Sequence, residues 1–367
     1  MSLKTRIAER IRTGGPMSVA EYMALALLDP TDGYYPTRDP LGADADFITA
    51  PEISQMFGEV LGLWVLQSWR DMGAPPHLAL VELGPGKGTL MSDMLRSVRL
   101  DPALGRAVSV HLVEASPALE AVQGRTLAAL PCPVLWHSSL DAVPPAPSLI
   151  VGNEFLDCLP VRQFVRRGAS WRERGVTLAG GELAFAESTT GPVAANVPEL
   201  TTASDASEGE LLEVRPATAQ LLAQLAARFE AHPGRALFID YGPAETEFGD
   251  TLQAIRGHEK VDPLEAPGEA DLTARVDFGA LAREARAEGL DVAGPVSQAA
   301  LLSRLGIEVR AATLARANPS SKDVLFRQLA RLTGDEASEG MGQLFKAICL
   351  SAAGLPGPLG FATGSDT

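Results

Sequence analysis

Five apolar runs punctuate the chain: HLALVEL (77–83), AVSVHLVE (107–114), PVLWH (133–137), SLIVGNE (148–154) and RALFIDYG (235–242). Each is apolar nearly throughout instead of alternating with polar residues, which marks strands buried on both faces. Segments of helical length separate the first three runs, Thr89 to Val98 and Pro117 to Leu130. This alternation predicts a doubly wound α/β fold with a parallel sheet. A last run, LFKAICL (344–350), predicts a closing antiparallel strand at or near the sheet edge. The spacing stretches between Glu154 and Arg235, so an insertion is expected there: VRQFVRR, SWRERGVTL and ELAFAES read as short antiparallel strands, 188–210 as a polar loop and 217–229 as an amphipathic helix.

Upstream, Ile53, Phe57, Val60, Leu61, Trp64, Val65 and Trp69 form a stripe at helical spacing, which reads as packing. Residues 249–278 read as a long loop rich in acids and prolines, of the kind that is usually functional or disordered. Further helices are predicted near 278–288, 298–305 and 322–332. The segments are a helical region over 1–72 forming part of a cleft, a first core portion over 73–160 and a β insertion over 161–212. The core resumes over 213–243, an acidic loop or lid spans 244–278, and 279–367 completes the core.

The first strand runs into Gly84-Pro85-Gly86-Lys87-Gly88-Thr89. A glycine turn between strand and helix brings bare backbone N–H groups and the positive end of a helix dipole up to a ligand. The G-x-G-x-G spacing fits neither the dinucleotide fingerprint nor the P-loop, in which lysine directly precedes the hydroxyl residue. Glu82-x-Gly84-x-Gly86-x-Gly88 is similar to the first motif of S-adenosylmethionine (SAM) dependent methyltransferases. In that class the acid closing the second strand takes the two ribose hydroxyls, and Glu114 stands there, 30 residues past Gly84.

The 367 residues are 46% hydrophobic and 21% charged, ordinary for a globular chain with a sizeable core. A net charge of −15 argues against a nucleic-acid partner, which would need clustered Lys and Arg. Cys132, Cys158 and Cys349 are too few and scattered for a disulfide framework or a metal cluster, so no metal is expected. The start MSLKTRIAERI has no apolar signal region, and no run approaches the ~18 apolar residues of a membrane span. A cytoplasmic protein without membrane contact is expected.

Strand ends on one side of such a sheet host ligands. Glu82, Glu114, His137, Asn153, Glu154 and Asp240 fall there, and the fourth strand opens into Asn153-Glu154-Phe155-Leu156-Asp157. The two carboxylates, Glu154 and Asp157, suit a guanidinium, which offers a fixed fork of donors and must lose a proton as its nitrogen is methylated. The competing reading makes them caps of a following helix. Thr49 and Glu52 spell a capping box but are also cleft candidates, as is Tyr34, which with Tyr35 reads as core packing or as a wall of the cofactor site. His258 is a proton-acceptor candidate or a solvated loop histidine, and Asp271 and Asp277 are substrate carboxylates or caps.

Taken together, MSVAEYMALALLDPTDGYY (17–35), DFITAPEISQMFGE (46–59), VELGPGKGTLMSDML (81–95), NEFLDCLPVRQF (153–164), IDYG (239–242), GDTLQA (249–254), PGEADLTARVDF (267–278) and MGQLFKAICL (341–350) make the chain resemble the MidA-like family of SAM-dependent methyltransferases. The mitochondrial member of that family is a protein arginine methyltransferase that assists assembly of respiratory complex I. The resemblance implies a class I, Rossmann-like core with a seven-stranded sheet. It implies SAM near Glu82, Gly84, Pro85, Gly86, Gly88, Thr89, Glu114 and Asn153, with Ser139 and Leu140 near the adenine. It also implies that 46–59 and 153–164 line the active cleft. The expected activity is methylation of an arginine on a partner protein, with a homodimer as one possible form of the protein itself. A small-molecule O- or N-methyltransferase and a SAM-binding assembly chaperone without turnover are the alternatives.

Overall fold

The computed structural model describes residues 1–37, 49–188, 197, 199–203 and 205–361. The chain divides into two compact units, one built from Ile48–Leu156, Leu221–Ala244 and Val276–Thr367 and a smaller one from Met1–Phe47, Asp157–Gln220 and Glu245–Arg275.

The larger unit holds a seven-stranded sheet made of β1 (Leu78–Leu83), β2 (Val108–Val113), β3 (Val134–His137), β4 (Ser148–Asn153), β5 (Gly234–Tyr241), β6 (Asp291–Ser297) and β7 (Phe345–Ser351). Their spatial order is β6-β7-β5-β4-β1-β2-β3. Pairings from β3 through to β5 are parallel, whereas β7 runs antiparallel to both β5 and β6. Every residue of β1 and β4 is buried, as their unbroken apolar runs predicted. The chain leaves β1 toward β2 on one side and returns to β4 on the other, so the strand order reverses between these two. That switch point is where an open α/β sheet leaves a crevice at its carboxyl edge.

Edge strand β6 carries no predicted apolar run. It contains Gly294 and Pro295, and its register against β7 shifts between Ala293 and Val296. Proline cannot donate to a ladder, which confines it to edges and bulges and hides such a strand from pattern reading. The helix Ile307–Ala317 was likewise masked, because alanines fill most of its inner face.

The apolar stripe seen upstream lies on the helix Gln55–Asp71, whose Met56, Phe57, Val60, Leu61, Trp64 and Val65 join Leu80, Leu149 and Val151 of the sheet in one core. Gly58 and Gly62 let this helix press against Thr89–Val98: a Cβ on Gly58 would stand 2.5 Å from that of Asp93, and one on Gly62 would overlap the carbonyl oxygen of Met94. The helices of the stretch 1–72 divide between the two units. The helices Leu3–Gly14 and Val19–Leu28 belong to the smaller unit, where Leu3, Ile7, Tyr22, Met23 and Leu27 share a core with Val161, Val176 and Leu272.

The expected antiparallel insertion is present as Arg162–Arg167, Ser170–Ala179 and Glu182–Glu187, joined by Met17–Ser18 and Leu211–Val214 into a five-stranded sheet. The helix expected at 217–229 spans Pro216–Ala231. Of the polar stretch 188–210, residues 189–196, 198 and 204 lie outside the described residues, and Glu199–Thr202 forms a single helical turn. The supposed loop over 249–278 contains a three-stranded sheet of Gln253–Arg256, Glu259–Val261 and Asp271–Thr273. Its hairpin turns on Gly257 and His258, both left-handed at φ 59° and 64°, the backbone that a tight two-residue hairpin demands. Charged strand residues and an unusual Gly-His turn concealed it. Among the described residues no helix is long and apolar enough to cross a membrane, and no group of three or more His, Cys, Asp or Glu is placed to hold a metal ion.

Candidate active site

At the carboxyl end of β1 the three turn glycines take φ of 62°, 52° and 80°, a region open to glycine at little cost. The Gly84 N–H donates to the Val113 carbonyl at the end of β2, and Gly88 N–H donates to the Pro85 carbonyl at 2.8 Å. Gly88 then opens the helix that begins at Thr89, with no side chain capping its first turn. A Cβ on Gly84 would come within 3.1 Å of the Phe155 ring on left-handed backbone, so a larger residue there would be strained and would push on that ring.

Two buried acceptors flank this turn. Glu82 is 3% exposed, and its Oε2 has no hydrogen-bond partner among the described residues. Burial, with the charge of Glu114 adding to it, pushes the Glu82 carboxyl up to about 8, against a bond from the Met91 N–H. On β4, Asn153 donates from Nδ2 to Glu154 at 3.0 Å, while its Oδ1 is buried with no partner among the described residues. Buried acceptors left unmatched are uncommon and call for a donor from elsewhere.

After β2, Glu114 accepts the Ser116 N–H on Oε1 (2.8 Å) and the Gln123 Nε2 on Oε2 (2.9 Å), and burial raises its carboxyl. Gln123 also donates to the Gly86 carbonyl at 2.8 Å and accepts the Trp136 indole N–H at 2.9 Å. Sequence reading missed this residue. Its signal was a glutamine in the stripe Leu119, Gln123, Leu127, where the spacing asks for an apolar side chain. Following β3, Ser139 is exposed and Leu140 buried at the start of a short 3-10 turn, and the His137 carbonyl accepts the Glu114 N–H at 3.0 Å. His111 and His137 share a 2.9 Å hydrogen bond, and burial plus the neighbouring ring push His111 down to about 4.

Glu154 sits at φ 51°, left-handed for a residue with a side chain. Such backbone costs roughly 1–3 kcal/mol and persists only where its surroundings impose it. They do so here: Glu154 N–H donates to Ile239 O (2.9 Å), and the Asp240 carboxylate at the end of β5 accepts both Phe155 N–H (3.1 Å) and Leu156 N–H (2.8 Å). Asp240 was placed at a strand end by sequence alone but given no role. The Glu154 carboxylate accepts the Ala50 N–H at 3.0 Å besides that of Asn153.

Several expectations change at this point. Neither Glu154 nor Asp157 caps a following helix, because the chain runs on into the strand Arg162–Arg167. Thr49 and Glu52 do not form a capping box: Thr49 makes no side-chain cap bond, Ala50 N–H is taken by Glu154, and Glu52 accepts the Thr89 hydroxyl at 2.6 Å. Glu52, Thr89 and Asp93 line a cavity of about 610 Å³ in the larger unit together with Leu314 and Leu325. Burial, opposed by Arg96, pushes Asp93 up to about 6.

Asp157 belongs to the smaller unit, where it is 8% exposed and pushed up to about 6 by burial, with Arg215 opposing. Also in that unit, Tyr34 is fully buried among Leu3, Ile7 and Leu27, packed edge-on to Tyr35, so it serves as core. Tyr35 donates to Asp271 at 3.0 Å. His258 is exposed at its hairpin tip. Asp277, in the larger unit, caps the helix Phe278–Ala287 by accepting the Ala280 N–H.

The geometry on the sheet edge fits SAM: two orphaned acceptors suit an ammonium, a glycine turn leaves backbone exposed, and a fixed carboxylate follows β2. Comparisons with known proteins agree. Residues 60–296 match the model of an S-adenosyl-L-methionine-dependent methyltransferase family. The chain is 38% identical over 373 residues to the zebrafish (Danio rerio) protein named "Protein arginine methyltransferase NDUFAF7, mitochondrial", covering 94% of this chain and 86% of that one. The mouse (Mus musculus) protein of the same name is 39% identical over 86% of this chain and 77% of its own length. A crystal structure from Burkholderia thailandensis bound to S-adenosyl-homocysteine superposes with a TM-score of 0.84 at 30% identity, covering 98% of this chain and 93% of that one. A doubly wound sheet, a glycine turn built for a nucleoside cofactor and relatives matched over most of their length lead to one conclusion: this chain belongs to the MidA-like family of SAM-dependent methyltransferases.

Proposed function

We propose that the enzyme methylates the guanidinium of an arginine on a partner protein. The observation that carries the reading is Glu154, a carboxylate held by two donors on a strained backbone just past the switch point of the sheet. Strain of that kind gathers at sites where a side chain must be aimed. The names of the zebrafish and mouse relatives support arginine as the target.

Bound SAM supplies an electrophilic methyl group on a sulfonium. The turn over 84–88 presents its backbone to the methionine part. Glu82 Oε2 and Asn153 Oδ1 would accept from the methionine ammonium, Glu114 would accept from the ribose hydroxyls, and Leu140 would pack against the adenine. Glu154 accepts hydrogen bonds from the guanidinium, which holds its charge at any working pH, and offsets the approach of one cation to another. As the nitrogen gains its methyl, the carboxylate of Glu154 takes the proton that leaves. Alignment of this kind can contribute up to ~7–11 kcal/mol.

Incubating the enzyme with methyl-labelled SAM and cell lysate, then locating the label by mass spectrometry, tests the assignment. Methylated arginine in a protein supports it. Label on lysine or a carboxylate, or only in small molecules, contradicts it, as does SAM binding without any transfer.

A further inference from the structure

We infer that Gln123 is a positioning residue for the cofactor: its amide locks the Glu114 carboxylate and the Gly86 carbonyl into one arrangement, presenting the acid to the ribose hydroxyls. The inference rests on the reading of Glu114 given above.

The chemistry of the three partners fixes the amide. The Trp136 indole N–H can only donate, and the Glu114 carboxylate and the Gly86 carbonyl can only accept. Gln123 meets all three, with Oε1 toward Trp136 at 2.9 Å and Nε2 toward Gly86 and Glu114 at 2.8 and 2.9 Å. Turning the amide over would set a donor against a donor and an oxygen against two oxygens, so its orientation does not depend on distinguishing O from N. Gln123 is wholly buried, away from bulk solvent.

Glutamine here joins three segments around one ligand position: the turn after β1, the acid after β2, and Trp136 on β3. It also leaves the acid usable. A carboxylate has about four acceptor sites, two on each oxygen. Ser116 N–H bonds Oε1, Gln123 bonds Oε2, and the Ala115 N–H also reaches the carboxylate. About one of its four acceptor sites remains for a ribose hydroxyl. Without Gln123 the acid would keep only the two donors of its own turn, and nothing from the facing helix would set its tilt toward the ribose.

The test measures binding of S-adenosyl-homocysteine and of its 2′,3′-dideoxy analogue by calorimetry, in the wild type and in Gln123→Met, which keeps the volume and removes the bonds. Losing hydrogen bonds to a charged group predicts that the variant binds S-adenosyl-homocysteine roughly 10- to 100-fold more weakly, while the dideoxy analogue loses little. An equal loss for both ligands shows a merely structural residue and overturns the inference, as does an unchanged affinity for both. If the wild type itself ignores removal of the hydroxyls, the ribose reading of Glu114 fails, and the inference with it. Should Gln123→Met fail to fold by circular dichroism, Trp136→Phe, which removes only the orienting donor, carries the same comparison.

Discussion

Glu82 shows how a residue in a strand can carry function that stability alone would not select. A buried carboxyl beside a second acid, with one oxygen unmatched, is a cost to the ligand-free fold. The sign follows from its position at about 8, above the ordinary 4.5. Between those values the folded chain keeps a proton that the unfolded chain has lost, so stability from this group falls as pH rises through 8. An arriving ammonium favours the ionised form. Binding of S-adenosyl-homocysteine at pH 7 is therefore expected to release about one proton, and affinity to climb with pH until about 8 and then level. Calorimetry in two buffers of different ionisation enthalpy reads this directly, and Glu82→Gln should abolish the release. At the turn, Gly84→Ala places a Cβ 3.1 Å from the Phe155 ring on left-handed backbone. It should weaken cofactor binding at least tenfold with the fold retained, measured by the same titration. Gln123, by contrast, left only a faint mark in the chain: a polar residue in an apolar stripe shows its role only once Gly86, Glu114 and Trp136 are assembled around it.

Elements were legible where a single periodicity governs them. The unbroken apolar runs became β1 to β5 and β7, and the stripe from Phe57 to Trp69 became the helix that covers the sheet. What escaped were elements whose residues answer to an edge or a turn: β6 with its proline, and the hairpin over Gln253–Val261 with its charged strands. The helix Gln55–Asp71 is fixed by more than apolar contact. Arg235 of β5 is fully buried, donating to Ser68 at 3.1 Å and pairing with Asp71 at 2.6 Å. Removing one partner of a buried pair leaves the other uncompensated. Arg235→Met should lower stability by about 3–5 kcal/mol in denaturant unfolding, and Arg235→Met combined with Asp71→Leu should recover part of the loss.

At the scale of the whole molecule, the order of strands in the larger unit, the glycine turn and the acids at the strand ends locate the cofactor, and the family assignment agrees with them. The division into units was less legible, because the smaller one is assembled from three separated stretches whose partnership no local pattern records. Fold and cofactor thus follow from local motifs, whereas the substrate must be inferred from one aimed carboxylate. The most direct measurement compares wild type with Glu154→Gln, scoring label transfer from SAM to protein arginine alongside binding of S-adenosyl-homocysteine. A loss of transfer of about 100-fold or more with cofactor affinity changed less than threefold is the expected result, in keeping with loss of a general base. Arginine methylation persisting near the wild-type rate in that variant would contradict the central claim.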